Sequence, residues 1–260
     1  MSAWSLVAPR RDVARADPLS FGRPDVPGVL SYSAHDTTTG PQSWTVTPLA
    51  AVTVTLDLIT PDRAGLPPSP IIGPRDRPLT AVQSGRALGV TVALSPPAAY
   101  ALLGPLHEFA NAAVALTDAL TTHLPERLAD LRTWPHRWTT LDHRLARRLR
   151  TGPPLDPRLA HAWRRLTATR GTLRIEALAA ELGWTRQHLV RRFRHDLGLP
   201  PKTTARVLRL HHAASLLPTT PPAEVAARCG YADQSHLNRD FRALTGTTPT
   251  AYAPSAAIMR

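Results

Sequence analysis

Two short stretches of this sequence hold the side chains best suited to act on another molecule. One set is Arg186, Gln187, Val190, Arg191 and Arg194; the other is Gln234, Ser235, Asn238, Arg239 and Arg242. Each surrounds two hydrophobes four residues apart, Leu189 with Phe193 and Leu237 with Phe241. On a helix that spacing puts the hydrophobes on one buried side and leaves the polar set facing outward. The chemistry on offer is recognition, not bond making. A guanidinium forks onto guanine or phosphate, an Asn or Gln amide matches adenine, and Val can meet a thymine methyl. No catalytic constellation accompanies them: there is no P-loop, no nucleotide-binding glycine pattern and no G-x-S-x-G. Eleven histidines are scattered, without an H-x-x-x-H helix or a C-x-x-C. We therefore expect no enzyme, no cofactor and no metal.

The elements that must position these residues form an internal repeat. Leu178-Ala179-Ala180-x-Leu182-Gly183-Trp184 matches Val225-Ala226-Ala227-x-Cys229-Gly230-Tyr231 at an offset of 47. Beyond the turn the offset is 48, pairing Leu189 with Leu237, Arg191 with Arg239, Phe193 with Phe241 and Gly198 with Gly246. Each copy reads as helix, tight turn, helix. Gly183 and Gly230 end the first helices, where a left-handed residue is needed. Thr185 and Asp233 cap the second helices. Cys229 stands where the first copy has Leu182, so it reads as a small core residue. Between the copies, Pro200-Pro201 opens a helix to about Leu217, a rod of roughly 24 Å at 1.5 Å per residue. Thr248-Pro249 caps a last short turn carrying Tyr252. Arg206 and Arg209, on the connecting helix, either approach a nucleic-acid backbone or lie on a solvated face.

Upstream, the pattern changes. The first thirty residues are rich in Pro and Arg and read as loop or irregular arm. Alternating hydrophobes from Trp44 to Ile59 predict strands, with turns at Gly40-Pro41 and Pro48. Separate β-like runs follow at Ile71–Ile72, Thr80–Gln83 and Ala87–Leu94, fitting a small barrel or sandwich. Residues 95–124 read as helical, with Ser95 as cap and Pro105 interrupting. Residues 125–149 read as helical again. Thr151-Gly152-Pro153-Pro154 is the best linker, and Asp156-Pro157 restarts helix. The fold class expected is multidomain: an N-terminal α+β part over residues 1–150, a linker at 151–155, and an all-α tandem helix-turn-helix part over 156–260.

Charge separates the two parts. The formal net charge is +12; residues 1–150 contribute +3 and residues 151–260 contribute +9. Counterion release makes a basic module a candidate for polyanions. Lys202 is the only lysine, and abundant Ala and Pro point to base composition as the source of the arginines. A hydrophobic fraction of 43% supports packed cores. No membrane-spanning stretch or signal peptide is visible, and a single cysteine fits a reducing cytoplasm.

Gly230-Tyr231-Ala232-Asp233-Gln234-Ser235-His236-Leu237-Asn238-Arg239-Asp240-Phe241-Arg242, followed by Gly246-x-Thr248-Pro249-x-x-Tyr252, resembles the signature of the AraC/XylS family. The resemblance covers residues 156–253. It implies two helix-turn-helix units on a connecting helix and a cytoplasmic regulator, nucleoid-associated through binding double-stranded promoter DNA beside RNA polymerase. By position in the motif, Gln187, Val190 and Arg191 look like base readers in the first unit. Gln234, Ser235, Asn238 and Arg239 look like those of the second. Arg191 and Arg239 either read guanine or hold phosphates. Arg186, Arg192, Arg194 and Arg242 are backbone candidates. Residues 41–124 resemble the N-terminal domain of an actinobacterial subgroup, which implies a cupin-like barrel that senses a small molecule or forms a homodimer. Two rivals stand beside this reading. A DNA-repair methyltransferase with this domain type needs a cysteine cluster that the chain lacks. An architectural or weakly specific DNA-binding protein would show steep salt dependence with little sequence preference.

Overall fold

The computed structural model describes residues 7–9, 20–22, 24–116 and 123–256. A β-rich part comes first and a helical part second. Its strands are β1 (Val7–Pro9), β2 (Ser20–Gly22), β3 (Val29–Val46), β4 (Val52–Ile59), β5 (Asp62–Ala64), β6 (Pro70–Ile72), β7 (Leu79–Leu94) and β8 (Ala113–Ala115). They make one antiparallel sheet in the order β1-β3-β7-β4-β6-β8, with β2 on β3 and β5 on β7. The helices are α1 (Pro96–Leu103), α2 (Leu124–Asp130), α3 (Trp134–Thr151), α4 (Pro157–Ala168), α5 (Ile175–Glu181), α6 (Arg186–Leu197), α7 (Pro201–Leu216), α8 (Pro222–Arg228), α9 (Gln234–Thr245) and α10 (Pro249–Ala256).

The N-terminal part departs from the sequence reading in several places. The arm expected in the first thirty residues contains β1 and β2, and β3 begins at Val29; residues 1–6, 10–19 and 23 lie outside the described residues. Gly40-Pro41 is not a turn. It lies where the β3–β7 register shifts between Thr39 and Gln42, inside a continuous strand. Proline has no N–H to give a ladder, and a bulge lets the chain pass it without ending the strand. Thr80–Gln83 and Ala87–Leu94 likewise belong to one strand, β7, whose length matches β3. The helix expected after Pro105 is instead a 3-10 turn at His107–Phe109 and then β8 on the edge strand β6; Leu120 lies outside the described residues. The long helix expected over 125–149 is broken into α2 and α3, with Pro135 in the first turn of α3.

One sheet face packs on α1, α2 and α3. Tyr32, Leu56, Val90, Leu94, Leu106, Leu128 and Leu141 form this core. Tyr32 stacks on Trp138 with centroids 5.3 Å apart and donates its hydroxyl to Asp142 at 2.7 Å. The helical part has its own core around Leu159, Leu166, Leu178, Leu189, Phe193, Val207, Val225, Leu237 and Phe241. Ala50, from the β3–β4 loop, is buried in that same helical core. Beside it the His211 ring meets the Pro48 carbonyl at 2.7 Å. Since a carbonyl only accepts, Nε2 carries the proton. The backbone N–H of Leu106 reaches the Asp196 carbonyl at 3.3 Å, and His107 stacks on His195 at 4.5 Å. The sheet part thus grips the C-terminal end of α6 and one side of α7.

Candidate nucleic-acid interface

The first unit is α5, a turn and α6. Gly183 turns the chain with φ +65°, a conformation that costs an L side chain a clash. The Thr185 hydroxyl then accepts the N–H of His188 at 3.1 Å and starts α6. Leu189 and Phe193 are fully buried, which fixes the helix about its axis. Arg186, Gln187, Arg191 and Arg194 are exposed, while Val190 and Arg192 are partly covered. Several carry weak partners. Arg186 lies 3.2 Å from Glu176, both well exposed, and Arg191 approaches the His188 ring at 3.4 Å. Exposed pairs of this kind contribute at most about 1 kcal/mol and yield to a better ligand. Arg192 bonds the buried Asp196 one turn on at 3.2 Å.

A recess of about 570 Å³ opens beside the start of α6, lined by Asp156, Arg158, Gly183, Trp184, Thr185, His188 and Arg192. Arg158 lies over the Trp184 ring at 5.7 Å, and His188 meets its edge at 4.7 Å. Sequence reasoning passed over Arg158 and His188. Only the crossing of α4 behind the turn brings Arg158 here. His188 follows the Thr185 cap by three residues, and only the fold of the turn brings the Trp184 ring against it.

The second unit repeats the design. Gly230 takes φ +71°, and the Asp233 carboxylate accepts the N–H of His236 at 2.6 Å. Leu237 and Phe241 are fully buried, as is Cys229. Burial pushes the Cys229 thiol pKa up, opposite to what a reactive thiolate needs. Gln234, Ser235, Arg239 and Arg242 are exposed, and Asn238 is partly covered. The structure therefore brings each set together on one outward helix face, as the spacing required. Arg206 and Arg209 meet a partner that their positions in the sequence do not announce, the Asp240 carboxylate. Arg206 gives two hydrogen bonds to Asp240 Oδ1, at 2.6 and 3.0 Å. Arg209 lies over the Tyr231 ring at 5.0 Å and 3.9 Å from Asp240 Oδ2. A buried carboxylate holds both guanidiniums, with the Arg206 side chain one-third exposed and that of Arg209 about one-fifth.

Among the described residues, no group of three or more His, Cys, Asp or Glu is placed to hold a metal. No described helix is long and apolar enough to cross a membrane.

Residues 178–254 match the family model described as a helix-turn-helix domain. No curated protein matches the chain. Among solved structures, the C-terminal domain of AraT, a response regulator from Geobacillus stearothermophilus, is 25% identical with a TM-score of 0.37, covering 40% of this chain and 88% of that one. An AraC-type transcriptional regulator from Chromobacterium violaceum gives 25% and 0.37, covering 40% and 96%. ToxT from Vibrio cholerae gives 10% and 0.47, covering 86% and 98%.

Proposed function

We propose that this chain, in which residues 178–254 match a helix-turn-helix domain, is an AraC-type transcription regulator that reads one promoter site sequence-specifically. The two recognition helices, α6 and α9, enter successive major grooves of one duplex. Gln187, Val190 and Arg191 read bases in one block; Gln234, Ser235, Asn238 and Arg239 read the other. Arg186, Arg192, Arg194 and Arg242 hold the intervening phosphates. The carrying observation is the pair of outward polar faces, each fixed by a buried Leu and Phe and joined through α7 in one core. α7 has 16 residues, about 24 Å at 1.5 Å per residue. Successive grooves lie about 34 Å apart. Two helices flanking such a rod can address both.

Residues 1–150, joined through 151–155 to the DNA-binding part at 156–260, supply association or effector sensing in this reading. A small-molecule effector, a second copy of the chain and RNA polymerase are its partners, and the cytoplasm is its place. No step of it is catalytic.

The test is selection from random duplex DNA by the full-length chain at fixed salt. The proposal expects one asymmetric motif with two blocks about one helical turn apart. An inverted or direct repeat of such motifs identifies the N-terminal part as a dimeriser. Absence of any enriched sequence, with a steep salt dependence, replaces the specific reader with an architectural DNA-binding protein.

A further inference from the structure

The two units are built alike but anchored differently. The position equivalent to Asp240 in the first recognition helix is Arg192, and that side chain bonds within its own helix, to Asp196. Asp240 instead turns away from the exposed side of α9 and is buried at 7% exposure. Its Oδ1 takes both hydrogen bonds from Arg206, and its Oδ2 faces the Arg209 guanidinium. Both arginines project from α7, three residues apart on one face. Arg209 is in turn held over Tyr231, at the turn that leads into α9. One carboxylate therefore ties the second recognition helix to the rod that carries the first. Leu237, Phe241 and Leu244 of α9 also share an apolar core with Val207, Leu210 and Ala213 of that rod, and such packing is not directional. The Arg–carboxylate contact fixes orientation as well as distance.

We infer that Asp240, with Arg206 and Arg209, sets the angle between the two recognition helices and so selects the spacing between the two blocks of the DNA site. Asp240 is a positioning residue: it touches no base. The inference rests on the two-groove reading above. Moving one block by a single base pair displaces it by about 3.4 Å and rotates it by about 35°. A locked pair of helices follows such a shift poorly; a pair free to pivot on Leu237 and Phe241 follows it better.

The experiment measures Kd by fluorescence anisotropy for the full-length chain on the selected site and on sites with one base pair added or removed between the blocks. Wild type should bind the shifted sites at least about tenfold more weakly, the equivalent of one charge-assisted hydrogen bond lost. In Asp240→Asn the correct site should weaken by a similar factor while the shifted sites change little, so the spacing preference collapses to about threefold or less. Asp240→Asn leaves an uncharged neighbour to two arginines, so folding is checked by thermal unfolding. Arg206→Gln removes the same contact from its one-third exposed end and should relax spacing in the same way. Exchanging the pair, Arg206→Asp with Asp240→Arg, should restore part of the preference. An unchanged spacing ratio in folded Asp240→Asn and Arg206→Gln, with or without a uniform loss of affinity, overturns the inference and leaves the two-groove reading standing. A wild-type chain indifferent to spacing overturns both.

Discussion

Arg191 and Arg239 offer the sharpest test of whether the outward faces read bases. Each occupies the same place in its recognition helix, two residues after a buried Leu and two before a buried Phe. Both are exposed. Arg191 has a single weak contact, His188 at 3.4 Å, so its removal should leave folding within about 0.5 kcal/mol. The whole effect then falls on DNA. A bidentate Arg–guanine pair discriminates by about 1–3 kcal/mol, a loss of roughly fivefold to 150-fold for Arg191→Ala or Arg239→Ala on the selected site. On random duplex of equal length the loss should be much smaller. The salt slope makes a second discriminator, since a phosphate contact adds about 0.9 to it. Anisotropy titrations of both variants on selected and random DNA, at several salt concentrations, give both quantities. Equal losses on every sequence, with the slope reduced by about one, would refute base reading and reduce both residues to phosphate contacts.

Three further outcomes follow from the fold. Asp57 and Arg63 form an ion pair at 2.6 Å with side chains 0% and 6% exposed, and Asp57 also accepts the Ser69 N–H at 2.6 Å. Asp57→Ala leaves a buried guanidinium unpaired and should cost about 3–5 kcal/mol in urea unfolding; a loss under about 1 kcal/mol would contradict that burial. His211, His35 and His212 are all shifted below the ordinary value of 6.5, chiefly by burial. The unfolded chain then binds more protons below that pH, so stability is full above about 6.5 and is lost as pH falls beneath it. His211→Gln should flatten part of this slope in thermal unfolding, and an unchanged profile would remove His211 from the account. Residues 152–260 alone lose Ala50 from their core and Pro48 from His211. That fragment should melt below the full chain, by roughly 4–8 °C per kcal/mol lost, and an equal midpoint would show that the sheet part adds nothing to helical stability.

The features legible in the sequence were those governed by neighbours along the chain. Ser95, Asp156, Thr185 and Asp233 all accept the helix N–H bonds that their types and positions demand. The i, i+4 hydrophobes set the rotation of α6 and α9, and with it the membership of both outward sets. The features that escaped depend on partners far along the chain. Gly40-Pro41 looks like a turn locally, and only pairing with β7 carries β3 through it. Ala113–Ala115 has a composition any element can use, and its strand exists because β6 offers an edge. Asp240 and Arg206 are 34 residues apart; each looks like an ordinary exposed charge until the helices cross. Ala50 carries too little side chain to announce a core position in another part of the molecule.

In the proposed reading, the same distinction makes base identity and spacing separable. The outward side chains proposed to read bases are set by the local helix start and the buried Leu–Phe pair, so changing one should alter a single block. The relation between blocks is set by contacts across helices. The first recognition helix is braced by the sheet part at its C-terminal end, through Leu106 on Asp196 and His107 on His195. The second has Asp240 on α7 as its directional tie to the helix that links the units. A substitution at Arg191 or Arg239 should therefore change which sequence is bound at fixed spacing, and one at Asp240 or Arg206 should change which spacing is accepted at fixed sequence. Variants on different recognition helices, such as Arg191→Ala with Asp240→Asn, measured on the same set of duplexes, should combine additively, because separated sites without shared partners do so within about 0.5 kcal/mol. A strong coupling between Arg239→Ala and Asp240→Asn, beyond that margin, would mean that the carboxylate positions its neighbouring reader and not the whole helix.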